Sequence, residues 1–237
     1  MKLIKKIGLP ILAAAMIGMG MGVTGCSSMN NTGKGALIGG GGGAALGAGL
    51  GALIGHGKGA AIGAAIGTAV GAGAGTLIGR KMDKQQAELE AELARQAQIE
   101  KTTDQNGLQA IKVTFNGGIL FPTNGTSLSA NAKTDLSKFA ASLNSNPDTN
   151  VQIYGFTDDT GSLEVNQRVS TGRADAVRNY LLNSGVAATR LSAEGLPMQD
   201  YVASNATAEG RAQNRRVEIY ITADKAMIDA ANAGTLQ

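Results

Sequence analysis

Residues 151–185 read VQIYGFTDDTGSLEVNQRVSTGRADAVRNYLLNSG. Val151–Phe156 is a short apolar run of the kind that forms a buried strand. Thr157–Gly161 is rich in Asp, Thr and Gly, which favour turns. Ser162 is placed to cap a helix, because its hydroxyl can accept a backbone N–H of the first turn. The helix is predicted to run to about Asn183, with Gly185 as its stop signal. Val165, Val169, Ala176, Val177, Tyr180 and Leu181 are expected to supply its buried face. A strand feeding a long helix through a polar turn is the core of an α/β arrangement.

The flanking sequence extends that pattern. Toward the N-terminus, Gln109–Phe115 alternates as a strand, with Ile111, Val113 and Phe115 on one side. Ile119–Phe121 follows, and Pro122, Thr123, Asn124 and Gly125 form a loop. Asn131–Leu143 is predicted to be a helix that packs through Leu136, Phe139, Ala140 and Leu143 and ends near Pro147. Toward the C-terminus, Leu191–Gly195 is a short strand, Thr207–Asn214 a short helix, and Arg216–Thr222 a last strand. The expected fold class is α/β (α+β), a β-α-β-α-β-(α)-β sandwich of one sheet covered by helices, over residues 108–223. Residues 224–237 are a tail to which the sequence assigns no role.

The rest of the 237-residue chain differs in kind. Of its 35 glycines, 19 fall between Gly33 and Gly79. Glycine recurs at every fourth position from Gly35 to Gly79, twelve times without a miss. Two uncharged runs, Gly35–Gly55 and Gly59–Gly79, flank His56-Gly57-Lys58, a polar turn. In water each interior Gly costs a helix about 1 kcal/mol relative to Ala. In hydrocarbon the helix is the local way to satisfy the backbone, and a glycine stripe lets two helices approach closely. Residues 35–79 are therefore expected to form a glycine-zipper helical hairpin in or against a membrane, the competing reading being a low-complexity linker. Residues 80–107 contain good helix formers and are expected to include a solvated linker helix, with a weak oligomerising coil as the alternative.

Lys2, Lys5 and Lys6 precede an uncharged segment, Ile7–Val23, which is the pattern of a secretory signal over residues 1–25. Val23-Thr24-Gly25-Cys26 resembles a bacterial lipobox, which implies cleavage before Cys26 and lipidation of that residue. Residues 26–34 then join the lipidated end to the glycine segment. Ser27 rather than Asp after the cysteine points to the outer membrane.

Composition narrows the chemistry. Removing Lys2, Lys5 and Lys6 from the 21 basic residues leaves 18 against 18 acidic, so no basic excess remains for binding nucleic acid. One Cys and one His, with no tryptophan and 3% aromatics, supply neither a Cys/His zinc set nor a nucleophile–histidine pair. No cofactor and no enzymatic activity are expected. What remains is a polar group around the turn. Asn166, Ser170 and Arg173 stand at helical spacing on one face, and the turn can bring that face over Asp158. A carboxylate near a guanidinium suits a zwitterionic ligand, although on the residues alone a structural salt bridge is the stronger reading.

Gly155-Phe156-Thr157-Asp158-Asp159-Thr160-Gly161, then Asn166, Ser170, Arg173-Ala174, Val177 and Leu181, then Asn205–Arg211 and Asn214–Glu218 resemble the OmpA-like C-terminal domain. Together with the glycine ladder and the lipobox they resemble OmpA-family outer-membrane lipoproteins. The resemblance implies a peptidoglycan-associating domain in which Asp158 and Arg173 hold the diaminopimelate of a stem peptide. It adds Thr123 and Asn124 as further peptide contacts. Of Asn214, Arg215 and Arg216, either Arg215 or Arg216 is expected to border the site, with Arg215 taken as the candidate and a purely structural role for all three as the competing reading. Phe156 departs from the His or Tyr of many members. The expected function is a non-enzymatic lipoprotein, anchored through Cys26 in the outer membrane, whose periplasmic domain tethers the envelope to the wall. The alternative is a membrane homo-oligomer driven by the glycine zipper, with the wall-binding domain as a positioning module.

Overall fold

The computed structural model describes residues 70–71, 73–122 and 125–236. Cys26, Thr123, Asn124 and most of the glycine ladder lie outside the described residues. The elements in chain order are α1 (Ala74–Leu93), β1 (Ala97–Thr103), β2 (Gln109–Asn116), α2 (Gly117–Leu120), α3 (Ala130–Ser145), β3 (Thr149–Phe156) and α4 (Leu163–Asn183). A single 3-10 turn (Ala188–Arg190), β4 (Leu191–Leu196), α5 (Ala208–Asn214), β5 (Arg216–Ala223) and α6 (Lys225–Asn232) follow.

The strands form one sheet in the order β1-β2-β5-β3-β4. Only β3 and β4 run parallel, joined by the crossover through α4, and β5 inserts antiparallel between β2 and β3. Alternation along the strands gives the sheet two different faces. Ile111, Val113, Phe115, Val151, Ile153, Val217, Ile219 and Ile221 are buried in the core that the helices cover. Lys112, Gln152, Tyr154, Glu218 and Tyr220 alternate with them. There Arg216 and Lys112 hold Glu218 at 2.7 and 3.2 Å, and Tyr154 and Tyr220 pack edge to face at 5.8 Å. Burial alone would raise the Glu218 carboxyl, but Arg216 and Lys112 together hold it below the usual carboxylate range.

Local signals set most of the boundaries. Ser129, Ser162, Thr207 and Asp224 each accept a first-turn N–H as helix caps. Gly185, at φ +92°, ends the last turn before Val186 re-enters the core. Arg190 closes the lower end of the sandwich by donating to the carbonyls of Leu143, Asn146 and Thr149 at 2.6–2.9 Å. Replacing Arg190 by Met removes the guanidinium from all three carbonyls, with Asn146 keeping the Thr149 hydroxyl as a side-chain donor, and urea titration should show a loss of about 2–3 kcal/mol.

Three expectations need correction. The helix placed between the glycine ladder and the domain is not solvated, because Ala74, Ile78, Met82, Leu89 and Leu93 are fully or almost fully buried in the domain core. It also begins earlier than expected, so residues 74–79 of the ladder belong to α1. Packing supplies what glycine costs that helix, with Gly75 and Gly79 both buried. Lys81 pairs with Asp148 at 2.7 Å and Asp83 with Lys101 at 2.9 Å, fixing the helix to the sheet domain. Ile99 lies not on a helix but in β1, which pairs with β2 across a turn where Leu108 donates its N–H to Asp104. The C-terminal tail is the third. It folds as α6, with Met227 and Ile228 in the core and Asn232 accepting the Gly71 N–H. Among the described residues no helix is long and apolar enough to cross a membrane. Ile78→Ala should destabilise the folded unit by about 2–4 kcal/mol in urea titration of the full chain. An unchanged midpoint would mean that α1 is dispensable.

Candidate binding cleft

The buried stripe of α4 consists of Asn166, Ser170, Arg173, Ala174, Val177 and Leu181. Its second half is apolar and joins the core. Its first half is polar, which corrects the expectation that Val165 and Val169 face inward. Val165 is 42% exposed and both valines line the wall of a cleft. Two glycines cause this rotation. A Cβ on Gly155 would lie 2.2 Å from the Ser170 carbonyl oxygen, and one on Gly195 2.4 Å from the Thr171 N–H nitrogen. Gly155 and Gly195 face each other across β3 and β4 and form a flat seat for the helix backbone. Ser170 is fully buried there and donates back to the Gln167 carbonyl, so it positions the helix and does not line the cleft.

The cleft has a volume of about 1050 Å³ and opens between the α4 N-terminal half, the end of β3, the segment after β2 and the end of α5. Asp158, Asn166, Arg173 and Arg215 all line it. Asp158 is 5% exposed, with one oxygen accepting the Thr160 N–H at 2.9 Å. Its other oxygen takes the Arg215 guanidinium at 2.5 Å. The direct ion partner of Asp158 is thus Arg215 and not Arg173. Asn166 is 5% exposed and donates to the carbonyls of Thr160 and Ser162, which locks the turn that carries Asp158.

Arg173 is 4% exposed, its Nε donates to the Gly125 carbonyl at 3.0 Å, and its guanidinium lies 5.3 Å from the centre of the Phe121 ring. Among the described residues no carboxylate stands within ion-pair distance of it. Burial and the nearby Arg215 charge lower its pKa, and Asp158 offsets part of that. Arg173 is therefore a fixed, desolvated cation facing a cleft. Burial works against the Asp158 charge, but the Thr160 N–H and the Arg215 guanidinium outweigh it and hold the carboxyl below its ordinary value.

Two lining residues carried no role in the sequence reading. Phe121 supports Arg173 from below, and Arg211 stands at the rim with its guanidinium on the Asn205 carbonyl. Arg168 also lines the cleft. Four arginines therefore surround one acid. Asn214 and Arg216 lie apart from it. Asn214 is fully buried and ties the loop at Val202–Asn205 to α5. Arg216 stacks 3.8 Å over the Phe156 ring on the other side of the sheet, so the departure at Phe156 concerns that face and not the cleft. Among the described residues no cluster of three His, Cys, Asp or Glu side chains is placed to hold a metal.

Known proteins place this architecture. Residues 120–215 match the OmpA family and residues 3–83 match the YMGG-like Gly-zipper. The chain is 40% identical over 104 residues to the Escherichia coli K12 protein named "Probable lipoprotein YiaD", covering 44% of this chain and 48% of that one. It is 43% identical over 112 residues to the peptidoglycan-binding protein ArfA of Mycobacterium tuberculosis, covering 47% of this chain and 34% of that one. The chain thus spans half or less of the length of these curated relatives. Among solved structures, the cell wall anchor of the T6SS from Pseudomonas aeruginosa superposes with a TM-score of 0.52 at 30% identity, over 59% of this chain and 97% of that one. A MotB-like protein from Desulfovibrio vulgaris gives 0.53 at 27% identity, over 62% and 94%. With its five-stranded sheet, its helical cover and these matches, the chain carries an OmpA-family domain over residues 120–215, which follows a segment, residues 3–83, that matches the YMGG-like Gly-zipper.

Proposed function

We propose that this domain binds peptidoglycan non-covalently and tethers the outer membrane to the wall. The observation that carries the reading is the cleft itself, which presents a buried, fixed Arg173 and a buried Asp158 along one wall. Arg173 can grip a carboxylate through paired hydrogen bonds, and Asp158 can take an ammonium. Those are the two charged ends of the amino-acid head of diaminopimelate in a stem peptide. The names of ArfA, a peptidoglycan-binding protein, and of the cell wall anchor support the same ligand class. Thr123 and Asn124, which lie outside the described residues, are the further peptide contacts of this reading. No reaction is assigned to the site.

Cys26, lipidated after signal cleavage, anchors the chain, and many weak wall contacts at high local concentration give the tether its strength. Cosedimentation of the full chain with purified sacculi tests the binding. Asp158→Asn should lower retention about tenfold, and retention equal to wild type would sink the assignment. Acyl labelling should vanish in Cys26→Ser.

The charge on Asp158 sets a pH window. Its folded pKa is depressed, so its contribution exists above the ordinary carboxylate value of about 3.9 and is lost as pH falls through the lower folded value. Retention on sacculi should hold from pH 7 down to about 3.9, then fall in more acid buffer, and the Asp158→Asn protein should lack that Asp158-dependent step.

A further inference from the structure

We propose that Arg215 is an internal stand-in for the ligand's ammonium group, which occupies Asp158 while the cleft is empty and must withdraw when ligand arrives. The inference rests on the binding reading above and concerns how the site is kept when unfilled.

The two arginines beside Asp158 are held in different ways. Arg173 is 4% exposed and fixed by the Gly125 carbonyl and the Phe121 ring. The Arg215 side chain is 41% exposed, and its one hydrogen bond among the described residues is to Asp158. The backbone of Arg215 is pinned. Its N–H donates to the Arg211 carbonyl at 3.0 Å and its own carbonyl accepts the Gly117 N–H at 2.7 Å. Motion of Arg215 is thereby confined to its side chain, and exposed side chains change rotamer in picoseconds to nanoseconds.

Asp158 has little room for a second cation. Its side chain keeps 8% exposure, one oxygen is committed to the Thr160 N–H, and Arg215 covers the other. An incoming ammonium must therefore take the place of the guanidinium. The exchange conserves charge at Asp158, so the buried carboxylate is never left alone, a state that would be costly. It also keeps Arg173 clear, because the exposed arginine and not the fixed one neutralises Asp158 in the empty cleft. The released Arg215 turns toward solvent or toward an anionic group of the ligand.

The cost of the exchange shows as reduced apparent affinity, by the fraction of time Asp158 is free. Removing the stand-in should therefore tighten binding, whereas removing an ordinary contact would weaken it. The probe is a muramyl tripeptide that ends in meso-diaminopimelate, titrated by calorimetry into the full chain in detergent. Arg215→Gln should bind it about two- to fivefold tighter, the range that a half-exposed ion pair supports. Arg215→Lys, which keeps a cation there, should stay near wild type. The gain should vanish when the probe's free amine is acetylated. Arg168→Gln removes the same charge from the same cleft without touching Asp158, and should give no gain.

Binding by Arg215→Gln that is unchanged or weaker overturns the stand-in role, as does an equal gain in Arg168→Gln. If wild type binds and Arg173→Ala does not, the wall-binding site stands even when the stand-in role falls. Wild type that fails to bind the probe overturns both together.

Discussion

Arg173→Ala should lose retention on sacculi by about thirtyfold or more while the domain stays folded. The size follows from where the group sits. A buried, hydrogen-bonded charge that meets an opposite charge is worth about 2–5 kcal/mol when truncated, because its partner is left desolvated and unpaired. Arg173 is 4% exposed and its position is set by Gly125 and Phe121, so little ordering remains to be done when a carboxylate arrives. The fold tolerates the change because α4 is held by Ala174, Val177 and Leu181 in the core, none of which touches the cleft. Arg173→Met is the control that keeps the apolar stem over Phe121. Near-ultraviolet circular dichroism should match wild type for both variants. Full retention by Arg173→Ala would remove the guanidinium from the binding site.

Gly155→Val should leave no folded domain. Even the first added carbon would stand 2.2 Å from the Ser170 carbonyl oxygen and 3.1 Å from its carbon. These are backbone atoms of a helix that is itself packed against β4, so neither side can give way through a rotamer. Overpacking by one methylene in a full core already costs about 1–3 kcal/mol, and a whole domain is stable by only about 5–15. The measurement is soluble expression and a thermal melt. A cooperative transition within a few degrees of wild type would show that the contact between α4 and the sheet is looser than described.

The same contact explains which parts of the molecule were legible in the sequence. The bounds of α4 follow from local chemistry, a serine cap and a glycine stop, and both hold within a residue. Which face it buries does not follow, because valine is the more apolar choice and Val165 and Val169 point to the cleft. The glycine seat on β3 and β4 decides that rotation, and its effect is tertiary. β1 was illegible for a related reason. Its residues are mostly good helix formers, and pairing with β2 across the Asp104–Leu108 turn overrides their preference. The burial of α1 was hidden by glycine, which reads as linker or membrane, while Ile78 and Met82 are spaced to enter a core in water. Asp158 and Arg173 were both legible as residues of one cleft, since strand, turn and helix are contiguous. The pairing of Asp158 with Arg215 depends on α5, 57 residues away in sequence, and no local pattern shows it.

The way α1 joins the domain has a mechanical consequence. A pull at residue 70 does not reach the sheet through a slack cord. It loads the Gly71–Asn232 hydrogen bond and then the Lys81–Asp148 ion pair, and it must peel twenty helical residues from their seat before β1 and β2 bear any strain. Such a series of bonds yields one after another, so the junction would act as a shock absorber, giving length under load before the sheet itself has to deform.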